Sequence, residues 1–77
     1  MKTVELYSGA DCHYCRRAKE ELRKRGLDFT DKDIGDPVTL EEFRTRLPRV
    51  RSIPQIFFDG RHVGGYDDLI AELNARE

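Results

Sequence analysis

The chain has 77 residues, of which 38% are apolar and 38% are charged, so it is the size of one small domain with a modest core. Its 14 basic and 15 acidic side chains nearly cancel, giving a net charge of −1. This balance argues against nucleic acid or an anionic membrane as the main partner, and no apolar run approaches the roughly 20 residues of a membrane span.

The first half of the chain predicts a β-α-β unit. Its strand, helix and second strand are expected over residues 2–7, 12–25 and 27–34. The helix is amphipathic, because Cys15, Ala18 and Leu22 recur at spacings of three and four residues on one face. Gly26 is a natural stop for this helix.

A second helix is expected after this unit. Asp36 is a suitable helix cap, and Pro37 suits the first helical position because its missing N–H has no partner there. Leu40 and Phe43 then mark one face of the helix, and Pro48 ends it.

The last third predicts a hairpin and a final helix. Strands are expected over residues 55–58 and 61–64, joined by the two-residue turn signal Asp59-Gly60. Asp67 is predicted to begin the last helix. The order β-α-β-α-β-β-α combines a parallel pair and an antiparallel hairpin. The expected fold is therefore α/β, with a mixed four-stranded sheet flanked by helices in a single domain over residues 1–77.

Cys12 and Cys15 are separated by two residues where a strand leads into a helix. Cys12 is expected at or near the first helical residue, where unpaired N–H groups and the helix dipole stabilise a thiolate, the reactive form. Cys15 lies one turn further, on the apolar face. We therefore predict that Cys12 attacks a substrate disulfide and that Cys15 can attack Cys12 to release the product.

A metal pair and two inert cysteines are the other interpretations of this spacing. A structural zinc ion needs four ligands, and only His13 and His62 could complete the set. His13 lies between the cysteines and is poorly placed to do so. A cysteine pair between a strand and a helix of a β-α-β unit favours redox chemistry, so we expect no metal.

Three stretches resemble the glutaredoxin family in order and spacing. They are Tyr7–Cys15, Ser52–Phe57 and Gly64–Leu69, which are similar to the family's active-site, Thr-Val-Pro and Gly-Gly-Cys-Asp-Asp-Leu motifs. The resemblance covers essentially the whole chain and implies a thioredoxin-like fold. It also implies reduction of protein disulfides and protein–glutathione mixed disulfides, with glutathione as co-substrate and no tightly bound cofactor.

The resemblance further implies a glutathione site. Pro54 would be cis, and the backbone of Ile53 would pair with the cysteinyl part of glutathione as in strand addition. Tyr14 would flank the sulfur, while Asp67 or Asp68 would meet the γ-glutamyl ammonium group and also cap the last helix. The predicted glutathione-binding residues are Tyr14, Arg51, Ser52, Ile53, Pro54, Gly65, Tyr66, Asp67 and Asp68.

Simpler roles exist for some of these residues, since Asp67 could be a helix cap alone and Tyr14 a packing residue. The chain also departs from the family pattern. Gly9 stands where many relatives carry a lysine that meets a glutathione carboxylate; Arg49 or Arg51 could serve instead, or either could be a solvated loop charge. His13 replaces the usual proline and Asp11 adds negative charge beside the reactive sulfur, which puts affinity and redox potential in doubt more than reaction type.

The expected partners are glutathione and glutathionylated or disulfide-containing proteins, for a cytoplasmic monomer without nucleic-acid or membrane partners. One alternative is a redoxin that is reduced by thioredoxin reductase and serves ribonucleotide reductase. Another is a carrier that holds an iron–sulfur cluster between two chains through Cys12 and glutathione. A pure interaction module would leave the cysteine spacing unexplained.

Overall fold

The computed structural model describes residues 1–76, and its elements follow the predicted order. They are β1 (Val4–Ser8), α1 (His13–Lys24), β2 (Thr30–Asp33), α2 (Pro37–Arg46), β3 (Gln55–Phe58), β4 (Arg61–Gly64) and α3 (Tyr66–Ala75). No helix in this part of the chain is both long and apolar enough to cross a membrane.

The sheet has the strand order β2-β1-β3-β4. β1 pairs in parallel with β2 and antiparallel with β3, and β3 pairs antiparallel with β4. The parallel pair is joined by the crossover helix α1, as a parallel connection requires. The mixed four-stranded sheet is thus confirmed. Its two central strands border the cysteine region, since β1 leads into the loop before Cys12 and β3 begins just after Pro54.

Two apolar clusters lie on opposite faces of the sheet. The larger one joins α1 and α3 to the strands, and its buried members are Val4, Leu6, Ala18, Leu22, Ile56, Phe58, Leu69 and Leu73. The smaller one joins α2 to the strands, and its buried members are Tyr7, Phe43, Leu47 and Phe57. Because strand side chains alternate between faces, Leu6 and Tyr7 enter different clusters although they are neighbours in β1.

Five polar side chains form a cluster between α2 and the sheet, called here the α2 polar cluster: Glu5, Tyr7, Lys32, Glu42 and Arg46. Arg46 donates to the Glu5 carboxylate and to the Tyr7 hydroxyl, each at 3.0 Å. The hydrogen bond from Arg46 holds the pKa of Glu5 below its ordinary value. A hydrogen bond from Lys32 does the same for Glu42. The cluster ties α2 to two strands.

The hairpin between β3 and β4 turns as predicted. Asp59 and Gly60 have φ angles of 51° and 80°, the left-handed conformations of a tight two-residue turn. The Asp59 carboxylate also accepts hydrogen bonds from the backbone N–H groups of Thr3 and Lys2, at 2.8 and 2.7 Å. These bonds lower the pKa of Asp59. They also explain why β1 begins at Val4 rather than at residue 2.

The predicted start of two other elements is wrong. The second strand was expected from residue 27, but Leu27 and Phe29 pack against the larger apolar cluster, and pairing with β1 begins at Thr30. The last helix begins at Tyr66 instead of Asp67, with Gly65 as its N-cap. The carboxylate that completes this helix start belongs to Asp68, three residues after the cap, and not to the cap residue itself.

Candidate active site

Cys12 and Cys15 form a disulfide in the structure, with their Cα atoms 5.2 Å apart. Cys12 is the N-cap of α1 and has an extended backbone, so it lies directly before the first helical residue, in agreement with the prediction. Its Sγ atom lies 3.1 Å from the backbone N–H of Cys15, which donates to it. An N-cap side chain accepts a hydrogen bond that a helical residue could not reach, so this position stabilises negative charge on the Cys12 sulfur.

The two sulfurs differ in exposure. Cys15 is 1% exposed and lies against the interior with Ala18 and Leu22, as the helical spacing predicted. Cys12 is half-buried at the end of the loop that follows β1. Of the two sulfurs, Cys12 is therefore the more accessible from solvent.

The loop before Cys12 makes this placement possible. Asp11 has a φ of 54°, a left-handed conformation that aspartate tolerates better than most residues. This turn brings the chain from the end of β1 into α1, whose first backbone bond runs from the Arg16 N–H to the Cys12 carbonyl at 3.2 Å. The sulfur is thereby positioned by backbone geometry.

A groove of about 280 Å³ is lined by one tyrosine of α1, the loop before β3 and the start of α3. Its lining residues are Tyr14, Ser52, Ile53, Pro54, Gly65, Tyr66 and Asp67. The Ile53–Pro54 peptide is cis, as the resemblance implied. The Ile53 carbonyl oxygen lies 3.7 Å from the Cys12 sulfur, so the groove adjoins the exposed side of the disulfide.

Two of the predicted binding residues do not line this groove. Arg51 is exposed and borders a different cavity, beneath the end of α2. Asp68 is turned towards the chain before α3, where its carboxylate accepts the Gly65 N–H at 3.3 Å. Of the two adjacent aspartates, Asp67 faces the groove and Asp68 completes the helix start.

The loop glycine at position 9 is packed closely. A Cβ atom on Gly9 would lie 2.8 Å from Cδ1 of Ile53 and 3.4 Å from Cγ1 of Ile34. A lysine here, as in many relatives, would require the Ile53 side chain to move. This packing gives a physical reason for glycine at the position, while Arg49 and Arg51 are both exposed on the loop between α2 and β3.

Aromatic contacts join α1 to α3 beside the groove. The rings of Tyr14 and Tyr66 are 5.4 Å apart, and the Arg17 guanidinium lies 5.5 and 4.8 Å from their centroids, within cation–π range. Tyr14 remains 51% exposed, so it both packs and presents a face to solvent. The stacking of Arg17 on these two rings was not predicted from the sequence, although its spacing of three residues from Tyr14 was a usable signal.

Gln55 and His62 were also missed as neighbours of the groove. Gln55 is a buried polar residue in a strand whose other members are apolar, and its side chain contacts both Ser52 and His62. His62, considered above as a zinc ligand, is hydrogen-bonded to this amide. Within residues 1–76, no group of three or more His, Cys, Asp or Glu side chains is placed to hold a metal ion.

These features define a class of protein. An N-cap sulfur bonded to a second, buried sulfur, on a thioredoxin-like fold and beside an open groove, is the arrangement of a thiol–disulfide oxidoreductase.

Comparison with known proteins agrees with this class. The family model described as Glutaredoxin matches residues 4–63. The chain is 44% identical over 77 residues to glutaredoxin 3 of Escherichia coli (strain K12), an alignment that covers 99% of this chain and 90% of that protein. This chain belongs to the glutaredoxin family.

Solved structures show the same fold. The crystal structure of glutaredoxin 1 from Francisella tularensis has a TM-score of 0.81 at 26% identity, covering 96% of this chain and 94% of that one. The solution structure of a Brucella melitensis glutaredoxin has a TM-score of 0.77 at 38% identity, covering 97% and 82%. The predicted thioredoxin-like fold is thus confirmed.

Proposed function

We propose that this protein reduces protein–glutathione mixed disulfides and protein disulfides, with glutathione as its co-substrate. The observation that carries the proposal is the groove beside Cys12, because the Ile53 backbone and the Asp67 carboxylate both line it and the Cys12 sulfur adjoins it. Its volume of about 280 Å³ is just below the usual range of small-molecule pockets.

The middle of the groove suits a peptide backbone. Pairing between β1 and β3 begins at the Tyr7–Gln55 pair, so Ile53 lies just outside the sheet ladder. Its backbone groups can therefore pair with the cysteinyl residue of an extended ligand, in the manner of an added strand. A ligand held there has its sulfur close to Cys12, which lies 3.7 Å from the Ile53 carbonyl oxygen.

One end of the groove suits the γ-glutamyl group. Asp67 is an exposed carboxylate in the first turn of α3 and lines the groove, where it can bind an ammonium group. The free N–H groups at the start of α3 can bind the neighbouring carboxylate. Together they match a zwitterionic α-amino acid end.

The chemistry proceeds by thiol–disulfide exchange. The Cys12 thiolate attacks the glutathione sulfur of a mixed disulfide, the protein leaves as a thiolate, and a Cys12–glutathione disulfide forms. A second glutathione thiolate then attacks the bound glutathione sulfur, which yields oxidised glutathione and restores the Cys12 thiolate. Alternatively, the Cys15 thiolate attacks the Cys12 sulfur, releases glutathione and forms the Cys12–Cys15 disulfide found in the structure.

The proposal is tested with a small glutathionylated peptide, excess glutathione and glutathione reductase to follow turnover. We expect Cys12→Ser to lose more than about a thousandfold in rate, because it removes the nucleophile, and Cys15→Ser to keep much of the activity. Equal loss in both variants would contradict the route that uses Cys12 alone. A wild-type protein without turnover would overturn the proposal.

The electron donor is tested separately, because a redoxin would use the same cysteines. The oxidised protein is mixed either with glutathione or with thioredoxin reductase and NADPH, and reduction is followed by thiol labelling. We expect glutathione to reduce it. If thioredoxin reductase reduces the protein and glutathione does not, thioredoxin reductase and not glutathione is the electron donor.

A further inference from the structure

Gln55 is a buried amide with hydrogen-bond partners at both ends. It is 5% exposed, and its Nε2 donates to the Ser52 carbonyl oxygen at 3.1 Å and lies 3.3 Å from the Ser52 hydroxyl. Its Oε1 lies 2.8 Å from Nε2 of His62. Such an amide is costly to bury unless these bonds form, so its orientation is strongly determined.

The hydrogen-bonding roles of Gln55 and His62 follow from the chemistry of the Ser52 carbonyl. A carbonyl oxygen accepts hydrogen bonds and cannot donate, so the NH₂ end of Gln55 must face Ser52. The oxygen end then faces His62, whose Nε2 must carry a hydrogen. Both the Nε2–H tautomer and the imidazolium supply that hydrogen.

The imidazole of His62 is itself held by the hairpin. His62 is the cross-strand partner of Phe57, and the two rings lie 5.1 Å apart. Phe57 belongs to the smaller apolar cluster, and the Arg46 guanidinium also lies 3.7 Å from its ring centroid. A chain of contacts therefore runs from the core through His62 and Gln55 to the loop that lines the groove.

The Ser52 carbonyl matters because it shares a peptide plane with the N–H of Ile53. In a trans peptide the C=O and the following N–H point in opposite directions, and the cis bond in this loop is the next one along the chain. A hydrogen bond that fixes the Ser52 oxygen therefore also fixes the direction of the Ile53 N–H. That N–H is the donor offered to the ligand backbone.

We infer that Gln55 is a positioning residue for substrate binding: it holds the Ser52 carbonyl so that the Ile53 N–H points into the groove, and His62 holds Gln55 in that orientation. The inference rests on the proposed function, since it concerns how the glutathionyl part of the substrate is bound. Neither side chain touches the reacting sulfur, so we expect substitutions of Gln55 or His62 to weaken substrate binding and leave the chemical step unchanged.

The decisive variant is Gln55→Glu, which keeps the size of the side chain and its acceptor for His62. It places a carboxylate oxygen against the Ser52 carbonyl, where a donor is needed. With a glutathionylated peptide we expect KM to rise about tenfold while kcat stays nearly unchanged, because uniform binding is lost. In the reduced Gln55→Met variant, which adds no charge, the rate of Cys12 alkylation by iodoacetamide should match that of the wild type.

A second pair of variants tests the role of His62. We expect His62→Leu to raise KM about threefold, since Gln55 loses one of its partners, and His62→Gln to restore a lower KM by returning an N–H donor. If Gln55→Glu fails to fold, Gln55→Met removes the donor without adding charge and should raise KM in the same direction.

The outcomes separate the inference from the proposed function. If the wild type does not turn over the glutathionylated peptide, the proposed function fails. If the wild type is active and the Gln55 variants keep its KM, or lose kcat at an unchanged KM, the inference is overturned. A fall in melting temperature alone, with kinetics unchanged, would show that the pair serves stability.

Discussion

Asp67 and Asp68 are adjacent residues with different surroundings. Asp67 faces the groove beside Cys12, while the carboxylate of Asp68 accepts the Gly65 N–H and supports the start of α3. One carboxylate is thus available to a ligand and the other is engaged within the protein. The roles of Asp67 and Asp68 can therefore be tested by substituting each residue in turn.

We predict that Asp67→Asn raises KM for a glutathionylated peptide about fivefold, because it removes the charge that we propose binds the γ-glutamyl ammonium group. Asp68→Ala is the matched comparison. It should lower the free energy of unfolding by about 1 kcal/mol through loss of the helix-start bond, with a smaller change in KM. Equal effects of both variants on KM would contradict the division of roles.

Sequence reasoning at this scale succeeded where a residue's role depends on its own helix. The burial of Cys15 follows from helical spacing, and the position of Cys12 at the start of α1 follows from the strand-to-helix pattern. It failed for Gln55, because the partner His62 lies across a hairpin whose register shifts by one residue between Ile56 and Phe57. That irregularity has no signal in the residue pattern.

The connection between β4 and α3 depends on a glycine. Gly64 has a φ of 128°, and a Cβ atom there would lie 2.2 Å from the Asp68 carboxylate. Both backbone conformation and packing therefore exclude a side chain. Gly26, at the end of α1, has a φ of 72° but no atom within 4 Å of the Cβ position.

We predict that Gly64→Ala lowers the free energy of unfolding by about 3 kcal/mol, since strain and displacement of Asp68 add together. Gly26→Ala should cost about 1 kcal/mol, from the left-handed conformation alone. Urea unfolding of both variants in the same redox state measures the difference. Equal losses would mean that the contact with Asp68 is unimportant.

Element order was predictable because turn signals stand between clear periodic segments, but the starts of β1, β2 and α3 were not. Leu27 and Phe29 alternate like a strand, yet they are packed on the core before pairing with β1 begins at Thr30. A pattern of alternating apolar residues indicates which side chains are buried. It does not indicate where backbone pairing begins, because pairing depends on the partner strand.

Across the whole molecule, ion pairs and hydrogen bonds stabilise the charged form of several carboxylates. Arg46 lowers the pKa of Glu5, Lys32 lowers that of Glu42, and backbone N–H groups lower that of Asp59. For Asp31, burial alone would raise the pKa, but hydrogen bonds led by Lys19 outweigh it and the net change is downward. These carboxyl groups titrate at lower pH in the folded chain than in the unfolded chain.

We therefore predict that the protein loses stability in acid. A carboxylate with a depressed folded pKa contributes its full stability above the unfolded pKa, about 4 for Asp and Glu, and loses it as pH falls through the folded value. The urea midpoint should be flat near neutrality and fall below about pH 4.5. Glu42→Gln should lower the midpoint at pH 7 and show a shallower decline, and an unchanged slope would contradict a contribution from the α2 polar cluster.

The strands at the two borders of the sheet are β2 and β4, each of four residues. Unpaired strand borders can act as templates for aggregation, and short, charged borders resist it. Here one border carries Asp31, Lys32 and Asp33, and the other carries Arg61 and His62. The proposed function, in which the backbone of Ile53 pairs with an extended ligand, requires that copies of the chain do not pair with one another, and the charged side chains at both borders oppose such pairing.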